Sequence, residues 1–168
     1  MNGPGVSEFD ELLRANLLYA SYFTKGALPA PPARRFAVVT CMDARLDPAK
    51  ALFLEEGDAH VIRNAGGLVT DDVLRSLAIS HWELGTQEVF VIGHTRCGLL
   101  TLDARALRAK IGVGANAVDF LAFHDLDVAV RESVRRVRES PLLPSSYGAT
   151  GLVYDVETGR LRVVDERR

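Results

Sequence analysis

The chain has 168 residues, of which 48% are hydrophobic and 25% are charged, a composition typical of a globular protein. Its formal net charge is -2, and the sequence has no basic stripe of the kind that nucleic-acid-binding proteins use. No apolar run is long enough to span a bilayer. The sequence shows no basic start followed by an apolar stretch, the pattern that indicates a signal peptide. We therefore expect a cytoplasmic protein. In that compartment its two cysteines are expected to be metal ligands, catalytic groups or buried thiols.

The first predicted element is an amphipathic helix in the segment VSEFDELLRANLLYASYF, residues 6–23. Ser7 followed by Asp10 indicates a capping box at its start. The Pro-rich segment LPAPPARR follows and is expected to be stiff and extended. We therefore expect residues 1–33 to form an N-terminal arm whose helix docks away from its own strand, on a partner subunit.

The rest of the chain alternates predicted strands and helices. RFAVVT and EVFVIG are short apolar runs without polar alternation, as expected of strands buried on both faces of a parallel sheet, and AHVIRN is a shorter candidate. Helices are predicted within residues 71–85, 103–112 and 125–141, and a terminal hairpin within residues 151–165. These elements predict a single α/β domain over residues 1–168, with a mainly parallel central sheet, flanking helices and the hairpin at the sheet edge.

Three of the predicted strands lead into unusual polar motifs at their carboxyl ends. FAVVT runs into CMDAR at residues 41–45, HVI into RNAGG at residues 63–67, and VFVIG into HTRCG at residues 94–98. Ligands of open parallel sheets bind in the crevice beyond the carboxyl ends of the strands. If the three strands are neighbours, the three motifs meet at one site.

Cys41, His94 and Cys97 within these motifs are the residue types that bind zinc. Three protein ligands with one open position are typical of catalytic zinc. A lone cysteine after a strand is more often a small buried apolar residue, and a lone H-x-x-C also occurs by chance. Because both cysteines of the chain follow predicted strands, one of them beside a histidine, the combination favours zinc over these alternatives.

Asp43 and Arg45 would project to the same side as Cys41 if the chain stayed extended. An arginine can hold a carboxylate in one orientation and keep it ionised, which suits an aspartate that accepts a hydrogen bond from a metal-bound water or becomes a fourth ligand. A local ion pair on a loop is the alternative. Arg63 either anchors the loop or binds substrate.

Gly66, Gly67 and Gly98 are predicted to let the backbone pass close to the site, with ordinary turn chemistry as the alternative. The other histidines are expected at the surface or in packing roles; they are His60, His81 and His124.

The motif set C-x-D-x-R, R-N-A-G and G-H-[ST]-x-C-G, each after a strand, resembles the signature of the β-class carbonic anhydrases. The segments CMDARLD, HVIRNAGG and TDDVLRSLAIS look most similar to the short actinobacterial-type branch. The resemblance implies one zinc ion held by Cys41, His94 and Cys97, with Asp43 and Arg45 as the catalytic dyad. It also implies reversible hydration of CO2 to bicarbonate by zinc-bound hydroxide, substrate contacts near the three glycines, and a homodimer or a multiple of it in which N-terminal helices embrace the neighbour.

Several alternatives stay open from the sequence. Relatives of the short branch hydrolyse carbonyl sulfide, and a non-catalytic zinc-binding domain or a thiol redox protein would also use these residues. Arg96 occupies the variable position of H-x-x-C, where a large cation near the metal is expected to alter substrate access or inhibition. Some β-class relatives carry the aspartate as a fourth ligand, so we expect Asp43 to close the site reversibly on acidification.

Overall fold

The computed structural model describes residues 6–112, 114 and 118–166, and its centre is a five-stranded sheet in the order β2-β1-β3-β4-β5. The strands are β1 (Phe36–Cys41), β2 (His60–Asn64), β3 (Glu88–His94), β4 (Gly148–Tyr154) and β5 (Leu161–Asp165). The first four are parallel, and β5 runs antiparallel to β4 at the edge. The predicted α/β fold with a mainly parallel sheet and an edge hairpin is confirmed.

The helices follow the predicted order with one addition. They are α1 (Glu8–Ser21), α2 (Pro48–Leu52), α3 (Asp71–Trp82), α4 (Ala104–Ile111) and α5 (Leu126–Arg138). The capping box of Ser7 and Asp10 is present at the start of α1. The addition is α2, a single turn that begins with the Asp47 side chain as its cap and with Pro48. A helix of five residues is too short to show an apolar period, so only its capping residues could have indicated it.

The two faces of the sheet are covered differently. On one face, α3 and α5 bury the main apolar core against β1 and β3; its strand and helix members include Val39, Val91, Leu77 and Val134. On the other face, Phe36, Val38 and Ile92 form a smaller cluster. That face carries an open groove of about 380 Å³, called here the sheet groove; its apolar lining is Phe36, Leu52, Leu54, Phe90, Ile92 and Leu152.

Helix α1 contributes no side chain to either core. No side chain of α1 is buried, although the helix exposes many large apolar residues, namely Phe9, Leu12, Leu13, Leu17 and Leu18. Its carboxyl end is tied to the domain by Tyr19, whose hydroxyl lies 3.2 Å from Glu56, and by Lys25, which lies 2.8 Å from Glu55. Residues 1–5 of the predicted arm lie outside the described residues. None of the described helices has the length and apolar character needed to cross a lipid bilayer.

The strand order brings the three polar motifs to one edge of the sheet. β1 lies between β2 and β3, with Cys41 level with Asn64 and Thr40 level with Ile92. The loop after β2 passes so close to β1 that a Cβ at Gly67 would lie 2.8 Å from the backbone nitrogen of Cys41. Gly67 also has a φ of +66°, in the left-handed region that favours glycine.

Because Gly67 lies so close to the backbone of β1, a methyl group there should destabilise the protein more than a methyl group at Gly85, where a Cβ would meet nothing within 4 Å. Both glycines have left-handed backbone, so conformational strain is common to the two changes. Gly67→Ala should therefore lower the free energy of unfolding by about 1–3 kcal/mol more than Gly85→Ala, the usual cost of overpacking. Urea unfolding in the presence of a chelator measures this without a contribution from metal binding. Equal losses in the two variants would contradict the steric argument.

Candidate metal centre

Cys41, His94 and Cys97 form a buried group whose potential ligand atoms all lie within 4.8 Å of one another. Cys41 is the last residue of β1 and His94 is the last residue of β3, so two neighbouring parallel strands deliver them to the same edge. A short turn after β3 then brings Cys97 back toward Cys41. In the part of the chain that the structure describes, this is the only group of its kind.

His94 is prepared to act as a ligand through its Nε2 atom. Its Nδ1 lies 2.9 Å from the carbonyl oxygen of Thr95, which can only accept, so Nδ1 carries the proton. Nε2 is buried and has no hydrogen-bond partner among the described residues. Burial holds the pKa of His94 below its usual value, which keeps the ring neutral. A buried lone pair without a partner is unfavourable in a protein interior unless an ion uses it.

The two thiols complete a donor set that fits zinc. Both cysteines are buried and free of disulfide. Burial, with a smaller contribution from Cys41, raises the pKa of the Cys97 thiol, so without a cation the proton stays on sulfur. A divalent cation would supply the missing positive charge and displace protons on binding. Two sulfurs and one imidazole nitrogen are typical zinc ligands.

The two cysteines are far apart in the sequence and form no C-x-x-C motif, but the fold brings their sulfur atoms together, so their separation in the chain does not exclude a redox pair. The unpartnered Nε2 of His94 in the same group is what favours a metal over a disulfide.

Asp43 and Arg45 form a two-pronged ion pair beside this group. The Arg45 Nε and Nη2 atoms lie 2.9 and 2.7 Å from the two carboxylate oxygens, and the Arg45 backbone N–H donates to Oδ1 at 2.9 Å. The Arg45 side chain, followed by this backbone donor, holds the pKa of Asp43 far below its usual range. Asp43 Oδ2 lies 3.8 Å from His94 Nε2, so an ionised carboxylate borders the metal group.

The chain does not stay extended after β1, because residues 44–45 form a turn, so Asp43 and Arg45 are not related as they would be in an extended strand. The backbone hydrogen bond from Arg45 to the Asp43 side chain causes the difference, because it folds the segment back on itself. Asp43 points to Arg45 here, and its ligation of the metal in a closed state stays a prediction.

The other predicted site residues play different structural parts. Arg63 donates to the carbonyl oxygens of Cys41 at 3.0 Å and Asp43 at 2.7 Å, which favours its role as a loop anchor. A Cβ at Gly66 would lie 2.7 Å from Leu99, so this glycine lets the Leu99 side chain pack directly against the backbone. Gly98 starts a short 3-10 turn and has open space around its Cα.

The β4–β5 turn supports the loop that carries Cys97, a contact that the sequence did not indicate. The backbone N–H of Thr95 donates to the Tyr154 carbonyl at 2.9 Å, and the Thr95 hydroxyl oxygen accepts from Val156 at 3.1 Å. The Arg96 side chain is paired with Glu157 at 2.7 Å, so its charge is directed to this turn. Only knowledge that β4 pairs with β3 could have indicated these contacts, because the two segments are about 60 residues apart in the chain.

Comparison with known proteins agrees with this geometry. A family model described as carbonic anhydrase matches residues 36–119. "Beta-carbonic anhydrase 1" from Mycobacterium tuberculosis is 45% identical over 159 residues, covering 92% of this chain and 96% of the relative. A crystal structure of carbonic anhydrase from Streptococcus mutans has a TM-score of 0.90 and 45% identity, covering 96% of this chain and 99% of that one.

A second activity also occurs among the similar proteins. A "Carbon disulfide hydrolase" from Acidianus sp. is 34% identical, covering 94% of this chain and 89% of that protein. The family match and the identity to carbonic anhydrases along nearly the whole chain show that this protein belongs to the β-class carbonic anhydrase family.

Proposed function

We propose that the protein catalyses the reversible hydration of CO2 to bicarbonate and a proton, with one zinc ion held by Cys41, His94 and Cys97. The observation that carries this proposal is the ionised Asp43 carboxylate, locked by Arg45, 3.8 Å from the unpartnered Nε2 of His94. Zinc in this place would act as a Lewis acid and make water acidic enough to supply hydroxide near neutral pH.

The residues of the chain then orient the reactants. Because Asp43 is ionised, it can only accept a hydrogen bond, and it would hold the hydroxyl group of the attacking water in one direction. Arg45 prevents the carboxylate from rotating, since two of its nitrogens engage both oxygens. Because Gly66 has no side chain, Leu99 and Phe123 pack close to its backbone, and we propose that this apolar surface contacts the small apolar substrate.

The alternative substrates are carbonyl sulfide and carbon disulfide, which are linear like CO2. The relatives named carbon disulfide hydrolase support these sulfur compounds as the alternative substrates. The higher identity to carbonic anhydrases supports CO2. A zinc-binding domain without catalysis would have no need for the locked Asp43 carboxylate beside the metal group, which argues against that alternative.

A stopped-flow assay of CO2 hydration tests the function directly. The zinc-loaded protein should hydrate CO2 faster than it hydrolyses carbonyl sulfide or carbon disulfide under the same conditions. Arg45→Ala should lower turnover by about 10²-fold, the usual effect of misplacing a group that orients the reactants. Faster hydrolysis of a sulfur substrate would reassign the activity, and a zinc-loaded protein without any of the three activities would support a non-catalytic domain.

Metal analysis tests the ligand set separately from the activity. The purified protein should contain one zinc per chain, and Cys97→Ala should lose the metal and much of its stability, because metal affinity is coupled to folding. Arg45→Ala is the matched control, since Arg45 contacts Asp43 and not the three ligands, and it should keep its zinc. Full zinc occupancy in Cys97→Ala would rule out the ligand assignment.

We further propose a homodimer, or a multiple of it, in which α1 packs on a second copy. The helix buries none of its apolar residues, and the sheet groove has an apolar lining without a covering helix among the described residues. Tyr19 near the end of α1 contacts Glu56, and Lys25 after the helix contacts Glu55, next to Leu54 of that groove.

A charge on the apolar stripe of α1 should weaken this assembly. Leu17, which is 70% exposed in the single chain, can be changed to Asp with little effect on the fold of one subunit. Leu17→Asp should shift the sedimentation coefficient from that of a dimer or larger assembly to that of a monomer, whereas Asn16→Asp on the neighbouring position should not. Unchanged sedimentation of Leu17→Asp would contradict the role of the helix in assembly.

A further inference from the structure

We propose that Glu157 in the β4–β5 turn, acting through Arg96, is a positioning residue that holds Arg45 and thereby the Asp43 carboxylate. We call the Arg96–Glu157 pair the hairpin clamp; its two charged atoms lie 2.7 Å apart. The catalytic meaning of the clamp rests on the CO2 hydration proposed above. Its structural effect on Arg45 does not depend on the substrate.

The backbone of Arg96 is the link between the turn and the dyad. Arg96 has a φ of +56°, a left-handed conformation that is uncommon for a residue with a side chain. In this conformation its carbonyl oxygen accepts a hydrogen bond from Arg45 Nη2 at 3.0 Å. The same Nη2 atom donates to Asp43 Oδ2 at 2.7 Å. A return of Arg96 to an ordinary φ would turn its carbonyl and remove one of the acceptors that fix the Arg45 guanidinium.

The β4–β5 turn is itself well fixed, which makes it a suitable support. The Asp155 side chain accepts from the backbone N–H of Glu157 at 2.8 Å and of Thr158 at 3.1 Å. The Gly159 N–H donates to the Asp155 carbonyl at 2.8 Å. Glu157 therefore projects from a hydrogen-bonded turn, and its carboxylate gives the Arg96 side chain a defined end point.

Exposure of the pair decides where its effect should appear. The Arg96 and Glu157 side chains are 64% and 60% exposed, so the pair contributes little to folding stability. The backbone contacts of Thr95 with Tyr154 and Val156 hold the loop near the turn even without the pair. The loss of the clamp should therefore leave zinc and fold in place and change the orientation of Arg45.

Kinetics of single and double variants test the clamp. Glu157→Ala and Arg96→Ala should each lower kcat by about two- to five-fold with KM unchanged, the range that the free energy of an exposed ion pair allows. Because both changes break the same contact, the double variant should be no slower than either single variant. Arg96→Lys keeps the cation and should recover most of the parent kcat. Glu139→Ala breaks an exposed ion pair with Arg135, on α5, and serves as the control without an effect.

A second measurement follows Arg45 itself without reference to activity. The Nε–H of Arg45 donates to Asp43, so its exchange with solvent, measured by NMR and assigned with Arg45→Lys, should be slow in the parent protein. Exchange should become several-fold faster in Glu157→Ala and stay unchanged in Glu139→Ala, in zinc-loaded and zinc-free protein alike. This result would support the clamp even if the parent protein did not hydrate CO2, in which case only the proposed function would fall.

Three outcomes would overturn the clamp. The first is an unchanged Arg45 Nε–H exchange rate in Glu157→Ala. The second is independent, multiplying effects of the two alanine substitutions on kcat. The third is a fall in zinc content or unfolding stability that matches the fall in kcat, because Glu157 would then serve the integrity of the fold.

Discussion

The structure depends on the burial of two thiols and one imidazole nitrogen at a single point where two parallel strands end. Burial keeps the proton on the Cys97 sulfur, and the buried His94 Nε2 has no hydrogen-bond partner in the described part of the chain, which is unfavourable. A cation would use the nitrogen lone pair and displace the thiol protons. The surrounding fold brings these three side chains together without an ion.

Two features of the sheet make this burial possible. β1 and β3 are direct neighbours, so Cys41 and His94 arrive at the same edge, and β1 is buried along its whole length. The loop after β2 closes the edge at Gly67, where the backbone approaches Cys41 more closely than a side chain would permit. The metal group is therefore part of the rigid core, whereas the charged residues that border it lie nearer the surface.

Arg45 occupies the boundary between the buried ligands and the exposed turns. It engages both oxygens of Asp43 and also reaches the Arg96 carbonyl, so one guanidinium joins the segment after β1 to the segment after β3. Arg63 fastens the same segment after β1 from the β2 side. Asp43 is thus held from both sides of β1, and its carboxylate keeps one orientation beside Cys41, His94 and Cys97.

Local periodicity, together with polar residues placed directly after apolar runs, is enough to predict the α/β class, the positions of the long helices and strands, and the candidate site. The motifs after the strands identify five site residues without any distance, namely Cys41, Asp43, Arg45, His94 and Cys97. Helix α2 could not be predicted in this way, because a single turn has no period to detect. Three features are visible only in the tertiary structure: the turn at residues 43–45, the direction of the Arg96 side chain and its pairing with Glu157. Each of these depends on a particular hydrogen bond or on the pairing of β3 with β4, and contacts between segments so far apart in the chain leave no periodic pattern in the sequence.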